Sequence, residues 1–313
     1  MLSLSKAEKS YIQAGLLATP PARADGRALL DARTVALETG IAPLANGSAR
    51  LSIGRNPRGG GGTEVVAASK LEVESIEDDS DARDGGRIIC TVSCSPSAYP
   101  HLTSQALEDF QSDLTSLLHQ TLAHPTLHPR NLGILKNKKS WLLHLDVLVL
   151  SDAGNVLDAL FMAARAALWD TRVPRTRGVE YKAPTRKADE VLPSGFETRV
   201  IQKATDFELP DYWDEGEVLD GRTPGALPRC HGPRGGRLTP APPPRLLLSP
   251  SAPTVMQAMR MLGPGELTSA QLKELIKVGE QYAREMFAAL DAKLREEDVR
   301  RHQKARERFE QHR

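Results

Sequence analysis

The chain has 313 residues, with 41 Lys or Arg against 40 Asp or Glu, and its formal net charge is +1. A free-standing nucleic-acid binder usually carries a basic excess, so this balance argues against that class. The length suffices for one large or two small domains, and three cysteines, an odd number, indicate a reducing compartment. No segment has the composition of a signal peptide or a membrane span, so we expect a soluble intracellular protein.

The predicted elements begin with a helix from Lys6 to about Leu17, which Ser5 and Glu8 open with a capping box. Three strands are then predicted, at about 34–38, 49–53 and 63–73, and the last of them is long and rich in β-branched residues. A run of glycines, Gly59 to Gly62, separates the last two strands. It lacks the Lys and Ser/Thr of a phosphate loop, which favours a hairpin tip.

The stretch 72–86 is densely acidic and predicts a solvated loop ahead of a strand at 87–95. The carboxylates of Asp78, Asp79 and Asp81 are clustered in this stretch. They lack a turn glycine at the spacing of a calcium loop, which disfavours metal binding. Cys90 and Cys94 share a face of the following strand without a further ligand nearby, so core packing is favoured over metal binding. We therefore expect neither a metal nor a cofactor.

A strand, a turn and a helix form the most informative segment. After a helix at 104–122 with apolar residues at helical spacing, the Val- and Leu-rich run 141–151 predicts a strand buried on both faces. It breaks at 152–155, and a small-residue helix follows at 156–168 with Asn155 as the expected N-cap. Free backbone N–H groups make such a helix start a natural anion site.

His144 and Asp146 lie two residues apart on the predicted strand and therefore point to the same side. A histidine with a nearby carboxylate is a common acid–base device. The two side chains run parallel, however, and their sequence neighbours are apolar, so a hydrogen-bonded structural pair is the favoured interpretation.

Several segments resemble, in their usual order, landmarks of the RNase PH family of phosphorolytic exoribonucleases: Arg23–Arg27, Asp31–Arg33, Asn46–Arg50, Asp152–Gly154 and Thr171–Arg175. Together they cover most of residues 4–180. The opening, Leu4–Ile12, resembles that of a ring subunit of the eukaryotic RNA exosome. The resemblance implies an α+β fold of the RNase PH type (ribosomal protein S5 domain 2-like), with two lobes that each hold a mixed sheet covered by helices.

The chain departs from the family where active members bind the attacking phosphate. Their turn carries a Thr-Arg pair, and the matching positions here are Asn155 and Val156. A valine cannot give the bidentate charged contact of an arginine. Active members also carry an arginine-rich segment on the preceding helix. The matching segment of this chain has no arginine, and its last residue is His119. The resemblance thus implies a vestigial phosphate site, no catalytic residue, and a chain that is not an enzyme.

The implied function is that of a non-catalytic structural subunit of the exosome ring, which guides RNA for 3′-to-5′ processing and degradation. Implied partners are other RNase PH-like ring subunits, cap proteins and RNA in the ring pore, without a membrane, a small-molecule substrate or a cofactor. The implied location is the nucleus and nucleolus, and also the cytoplasm. Two alternatives stay open: an active phosphate-dependent 3′-to-5′ exoribonuclease, and a protein-interaction module that does not contact RNA.

A cationic patch follows the turn, and its candidate RNA-binding residues are Arg172, Arg175, Arg177 and Lys182. The competing interpretation is a solvated loop, or salt bridges to a neighbouring subunit. The acidic stretch 206–220, which includes Tyr212 and Trp213, predicts an exposed loop or a partner contact.

The domain organisation predicted from the sequence has an N-terminal helix and lead-in, a first lobe, a second lobe and a charged helical tail, at 1–24, 25–190, 191–293 and 294–313. Residues 221–244 interrupt the second lobe, because 16 of these 24 residues are Gly, Pro or Arg. Such composition does not form a packed strand, although the resemblance requires strands there. One hypothesis is that this segment derives from a misread frame or an unspliced intron.

Overall fold

The computed structural model describes residues 5–23, 25–28, 31–54, 61–76, 86–123, 129–136, 138–180, 196–197, 206–209, 216–220, 245–249, 255–260 and 268–311. Several predictions concern residues that lie wholly or mostly outside these described ranges. They are those made for Asp78, Asp79, Asp81, Lys182, the Gly59–Gly62 run, Tyr212, Trp213 and the segment 221–244.

The helices are α1 (Lys6–Leu17), α2 (Ser104–Leu122), α3 (Val156–Asp170) and α4 (Ser269–Gln311). The strands of the first lobe are β1 (Val35–Thr39), β2 (Gly47–Ile53), β3 (Thr63–Ser75), β4 (Arg87–Cys94), β5 (Gly133–Leu135) and β6 (Lys139–Ser151). The later strands are β7 (Arg172–Val173), β8 (Arg177–Glu180), β9 (Phe196–Glu197), β10 (Asp206–Glu208), β11 (Glu217–Val218), β12 (Arg245–Ser249) and β13 (Val255–Arg260).

The first lobe is built on a mixed sheet of strand order β1-β2-β3-β6-β4, in which β5 pairs with the start of β6. The pairs are antiparallel except that of β4 with β6, which α2 connects in parallel. A long ladder between β3 and β6, from Glu64–Ser151 to Ser75–Lys139, forms the centre of the sheet. This arrangement confirms the prediction of an α+β fold.

Both α2 and α3 pack on the same face of this sheet. The alanines of α3, Ala159, Ala163, Ala166 and Ala167, are fully buried, and residues without large side chains let the helix lie close to the strands. Leu107, Leu114 and Leu118 of α2 join the same core.

The prediction that β6 is buried on both faces is wrong. Leu143, Leu145 and Val149 point into the core, whereas Leu148 and Leu150 are 40% and 38% exposed. The reason is that both helices cover one face of the sheet and, in the part of the chain that the structure describes, no element covers the other. A continuous apolar run therefore does not establish two buried faces.

The two edge strands of this sheet differ. Along β4, Thr115 Oγ1 accepts a hydrogen bond from Val92 N at 3.0 Å, and Gln111 Oε1 accepts one from Cys94 N at 2.9 Å. Side chains of α2 thus satisfy backbone groups of that edge. Among the described residues, no strand and no side chain does the same on the outer side of β1.

The basic stretch after α3 forms strands rather than the expected loop. β7 pairs with β11, and β8 pairs with β10 and β9. β12 and β13 form a separate antiparallel pair with a bulge between Leu247 and Leu248.

Helix α4 starts at a capping box of Thr268 and Gln271, and it buries Ala283, Leu290 and Leu294. Its contact with the first lobe extends beyond the predicted boundary at 294. Trp169 Nε1 donates to Asp298 Oδ2 at 3.0 Å, and Arg301 forms an ion pair with Asp170. Apolar spacing could not indicate this extension, because polar side chains make it.

Candidate functional site

The turn between β6 and α3 has an unusual backbone. Gly154 has a φ of 95° and Asn155 a φ of 69°, both in the left-handed region that Gly and Asn tolerate best. Asn155 occupies the N-cap position of α3, as predicted, but in this conformation its side chain makes no capping hydrogen bond. The side-chain oxygen of Asn155 is buried without a hydrogen-bond partner among the described residues.

Side chains of the turn and of β3 satisfy backbone donors of the turn. Asp152 Oδ1 accepts from Gly154 N at 2.6 Å, and Thr63 Oγ1 accepts from Ala153 N at 3.0 Å. The Tyr99 hydroxyl donates to the second oxygen of Asp152 at 2.9 Å. Two backbone N–H groups of the turn are therefore already occupied.

Val156 is the first residue of α3, and its side chain is only 8% exposed within the core of the first lobe. The position at which the family resemblance expects a phosphate-binding arginine thus contributes to packing. The first turn of α3 instead carries the carboxylate of Asp158, which is also buried. A negative charge there complements the positive end of the helix dipole and disfavours a second anion.

Arg33 supplies a guanidinium to the turn from a distant part of the sequence. It donates to Ala153 O at 3.1 Å and to Gly154 O at 2.5 Å. Gly54, whose φ is +68°, makes room for it, because a Cβ there would lie 2.8 Å from Arg33 Cδ. Sequence reasoning did not assign this function to Arg33; the available signal was the Asp31–Arg33 landmark.

His119 does not lie at the turn. Helix α2 runs antiparallel to β4, with Gln111 level with Cys94 and Thr115 level with Val92. A rise of about 1.5 Å per residue puts His119 roughly 12 Å along the helix from Gln111, away from the turn. The structure therefore places Asn155 and Val156 together at the turn, and His119 further along α2, in the direction of the start of β4.

The candidate RNA-binding arginines face acidic residues of the same chain. Arg175 Nε lies 3.4 Å from Glu217, and Arg177 lies 3.7 Å from Glu208. Arg172 is held through its backbone N–H, which donates to Asn46 O at 2.9 Å. The acidic stretch thus pairs with the basic stretch. Exposed pairs of this kind contribute about 0–1 kcal/mol each.

His144 pairs with a residue other than the one expected. Its Nε2 atom lies 3.4 Å from Glu72, which also accepts from Lys70 Nζ at 2.5 Å. The predicted hydrogen-bonded pair with Asp146 is therefore wrong. The neighbouring strand β3 brings charged side chains beside β6 that the apolar sequence around His144 did not indicate. The pair of Lys70 and Glu72 raises the pKa of the former and lowers that of the latter.

Cys90 and Cys94 are buried in the core, as predicted. Burial raises the pKa of the Cys90 thiol to about 12 and that of Cys94 to about 11. Burial, followed by the neighbouring Asp152 carboxylate, also raises the pKa of Tyr99. Among the described residues there is no metal-ligating cluster of His, Cys, Asp and Glu, and no helix long and apolar enough to cross a membrane.

The mixed sheet with two helices on one face and the glycine-containing turn define a chain of the RNase PH fold class. Residues 31–174 match the family model described as the 3′ exoribonuclease family, domain 1. The exosome complex component Rrp42 of Saccharolobus solfataricus is 33% identical over 207 residues, which cover 64% of this chain and 72% of the relative. The chain belongs to this family.

Further comparisons agree with this assignment. The exosome complex component Rrp42 of Thermoplasma volcanium is 30% identical over 184 residues, or 58% of this chain and 66% of that relative. The chain thus spans about two thirds of the length of this relative. An Archaeoglobus fulgidus exosome structure with RNA bound to its active site aligns with a TM-score of 0.55 at 20% identity, over 89% of this chain and 95% of that chain. This likeness supports the fold.

Proposed function

We propose that this chain is a non-catalytic structural subunit of an RNA exosome ring, which guides RNA for 3′-to-5′ processing and degradation. The observation that carries the proposal is the turn before α3, where Val156 is buried at the expected position of the phosphate-binding arginine. The relatives named exosome complex component Rrp42 support the ring assignment.

Phosphorolysis requires an inorganic phosphate held close to the RNA 3′ end by cations or by free backbone donors. Val156 provides no charge, and Thr63 and Asp152 already occupy the N–H groups of Ala153 and Gly154. The guanidinium of Arg33 is engaged with two carbonyl oxygens. These contacts engage two backbone donors and one guanidinium of the turn, and the position of the family's arginine carries no charge.

An active phosphorolytic enzyme is the alternative that the family description favours. The test incubates the purified chain, and separately its assembled complex, with inorganic phosphate and 3′-labelled RNA. We expect no release of nucleoside diphosphates by the isolated chain. In the complex, we expect release to be the same with the wild-type chain and with Arg33→Ala. Release that depends on Arg33 would overturn the non-catalytic assignment.

RNA guidance is assigned to Arg172, Arg175 and Arg177, with Lys182 as a further candidate. Because Glu208 and Glu217 lie beside two of these arginines, a protein-interaction module without RNA contact is a competing function. Ultraviolet crosslinking of RNA to the assembled complex separates the two. We expect adducts on 172–182 that are lost in the Arg175→Glu/Arg177→Glu variant.

The matched control for this experiment is Arg284→Glu, which changes an exposed arginine that is paired with Glu280 on α4. We expect its adducts to equal those of the wild type. Equal adducts in all three chains, or none in any, would favour the module without RNA contact.

The proposed partners are other RNase PH-type ring subunits, cap proteins and RNA in the pore, and the proposed location is the nucleus, nucleolus and cytoplasm. Purification of the tagged chain from its native cells, followed by mass spectrometry of the stoichiometric chains, tests the partners. Imaging of the same tagged chain tests the location.

A further inference from the structure

Two carboxylates are fixed beside the candidate RNA-binding arginines by strand pairing. Glu208 lies directly opposite Arg177 where β10 pairs with β8. Residues that are directly opposite in an antiparallel pair share one face, with Cβ atoms about 4.5–5.5 Å apart. Glu217 belongs to β11, which pairs with β7, and its carboxylate lies 3.4 Å from Arg175 Nε. The backbone therefore sets one acidic side chain next to each of these two arginines.

Strand β10 is anchored by the neighbours of Glu208 and not by Glu208 itself. The ring of Phe207 packs edge-on against Trp141, with ring centroids 6.2 Å apart. Lys139 Nζ lies 5.4 Å from the Phe207 ring centroid and pairs with Asp206 at 2.8 Å. None of these contacts uses the carboxylate of Glu208.

Strand β11 is anchored in a similar way beside Glu217. Leu219 follows the strand and is buried in the core of the first lobe, and its N–H donates to Thr171 O at 3.2 Å. Asn131 Nδ2 donates to Val218 O at 2.9 Å. The carboxylate of Glu217 takes no part in these contacts, so the strand holds the acid in place and not the reverse.

The two ion pairs are open to solvent. The side chains of Arg175 and Glu217 are 55% and 58% exposed, and those of Arg177 and Glu208 are 43% and 42% exposed. A phosphate of RNA can therefore reach both guanidinium groups, where it meets the repulsion of the carboxylate beside each of them. Because the acids lie on anchored strands, they can move aside only as far as their side chains reach.

We propose that Glu208 and Glu217 lower the affinity of Arg175 and Arg177 for RNA phosphates, so that RNA is held weakly at this surface and moves past it. Contacts to phosphate carry no sequence information, and weak contacts of this kind allow a nucleic acid to slide. The inference rests on the proposed RNA contact of these arginines, and it adds that the chain itself limits the strength of that contact.

The test is ultraviolet crosslinking of labelled single-stranded RNA to the assembled complex, with the adducts on 172–182 measured against RNA concentration. Glu208→Gln/Glu217→Gln keeps the size of both side chains and removes their charge. Each carboxylate opposes a phosphate about as strongly as an exposed ion pair attracts, which is a factor of about three. We therefore expect half-saturation at about a tenth of the wild-type RNA concentration, and a smaller difference at high salt.

The matched control is Glu280→Gln/Glu296→Gln, which removes the same charge from two carboxylates of α4. These carboxylates also pair with cations, Arg284 and Lys293. We expect this control to bind RNA like the wild type.

A second variant separates the charge of the acids from the stability of their strands. Glu208→Asp/Glu217→Asp keeps both charges, and we expect its half-saturating RNA concentration to be that of the wild type. Thermal melting of the isolated chains should give wild-type curves for the glutamine and the aspartate variants, because the contacts that anchor β10 and β11 are unchanged.

The adducts of Arg175→Glu/Arg177→Glu separate failure of this inference from failure of the RNA contact. If that variant loses its adducts while Glu208→Gln/Glu217→Gln binds RNA like the α4 control, the inference is overturned and the RNA-guiding function stands. If it keeps wild-type adducts, both proposals fail. A glutamine variant that loses a neighbouring ring subunit on purification, without a gain in RNA adducts, would assign the acids to a protein contact and also overturn the inference.

Discussion

The side chain of Val156 packs in the hydrophobic core and does not contribute to a binding site at the turn. A substitution to arginine, which restores the residue type of the active family, would place a guanidinium in a position that is 8% exposed. The guanidinium of Arg33 already lies beside the turn, and the nearest buried carboxylate in the helix is that of Asp158. The substitution of Val156 by arginine alone therefore does not restore the phosphate site of the active family.

We therefore expect Val156→Arg to destabilise the fold by roughly 3–5 kcal/mol without creating phosphate binding, because a buried charge would lack compensation. Val156→Ala is the control and should cost about 2 kcal/mol through lost apolar burial. Urea denaturation measures both values, and calorimetric titration with phosphate measures binding. Tight phosphate binding by a stable Val156→Arg chain would contradict this account.

Tyr99 braces the same turn through its hydroxyl, which donates to Asp152 Oδ2 at 2.9 Å while its ring packs edge-on against Phe110. Tyr99→Phe keeps the ring and removes the donor. Hydrogen bonds to charged groups contribute about 1.5–3 kcal/mol, so we expect a loss in that range by chemical denaturation. The control Tyr11→Phe changes an exposed hydroxyl and should leave stability unchanged.

The buried thiols predict a loss of stability at alkaline pH. Burial raises the pKa of Cys90 from 9.0 to about 12, so the folded chain keeps a proton that the unfolded chain releases. Its contribution is complete below pH 9 and is lost as the pH rises toward the folded pKa. Each such group adds a slope of about 1.4 kcal/mol per pH unit in that window.

Denaturation at pH 8, 9, 10 and 11 for the wild type and Cys90→Ala measures this effect. We expect the wild type to lose stability more steeply above pH 9 than the variant does. Parallel curves would show that the thiol does not contribute. Cys94→Ala, whose pKa is raised less, to about 11, should give an intermediate slope at the highest pH.

At the scale of elements, α4 is held to the first lobe by polar contacts that lie beyond its last buried leucine, Leu294. Trp169 donates to Asp298, and Asp170 pairs with Arg301 and also accepts from Ser48 N at 3.0 Å. A buried carboxylate that loses its cation is costly. The last turns after Arg301 make no such contact in the part of the helix that the structure describes.

Truncation of α4 tests this boundary. A chain that ends after Arg301 should keep the wild-type stability, whereas a chain that ends after Leu294 should lose about 3 kcal/mol, since Trp169 and Asp170 would lose their partners. Urea denaturation compares the two. Equal stability of both truncated chains would mean that the contacts beyond Leu294 are not needed.

At the scale of the whole molecule, the features set by local sequence were predictable. The capping boxes at Ser5 and Thr268, and helix α2 with both its ends, follow from side chains within one or two turns. Long-range contacts were not: Arg33 reaches the turn at Gly154, and Arg175 reaches Glu217, only because the strands pair as they do. Burial of β6 on one face likewise depends on where the helices pack.

The unequal edges of the first sheet have a consequence for self-association. Thr115 and Gln111 occupy backbone groups of β4, while the outer side of β1 has no strand partner among the described residues. Among the described residues, the β1 edge therefore offers more unpaired backbone groups to an added strand than the β4 edge does. Addition of a further strand to this sheet is therefore favoured at β1 over β4.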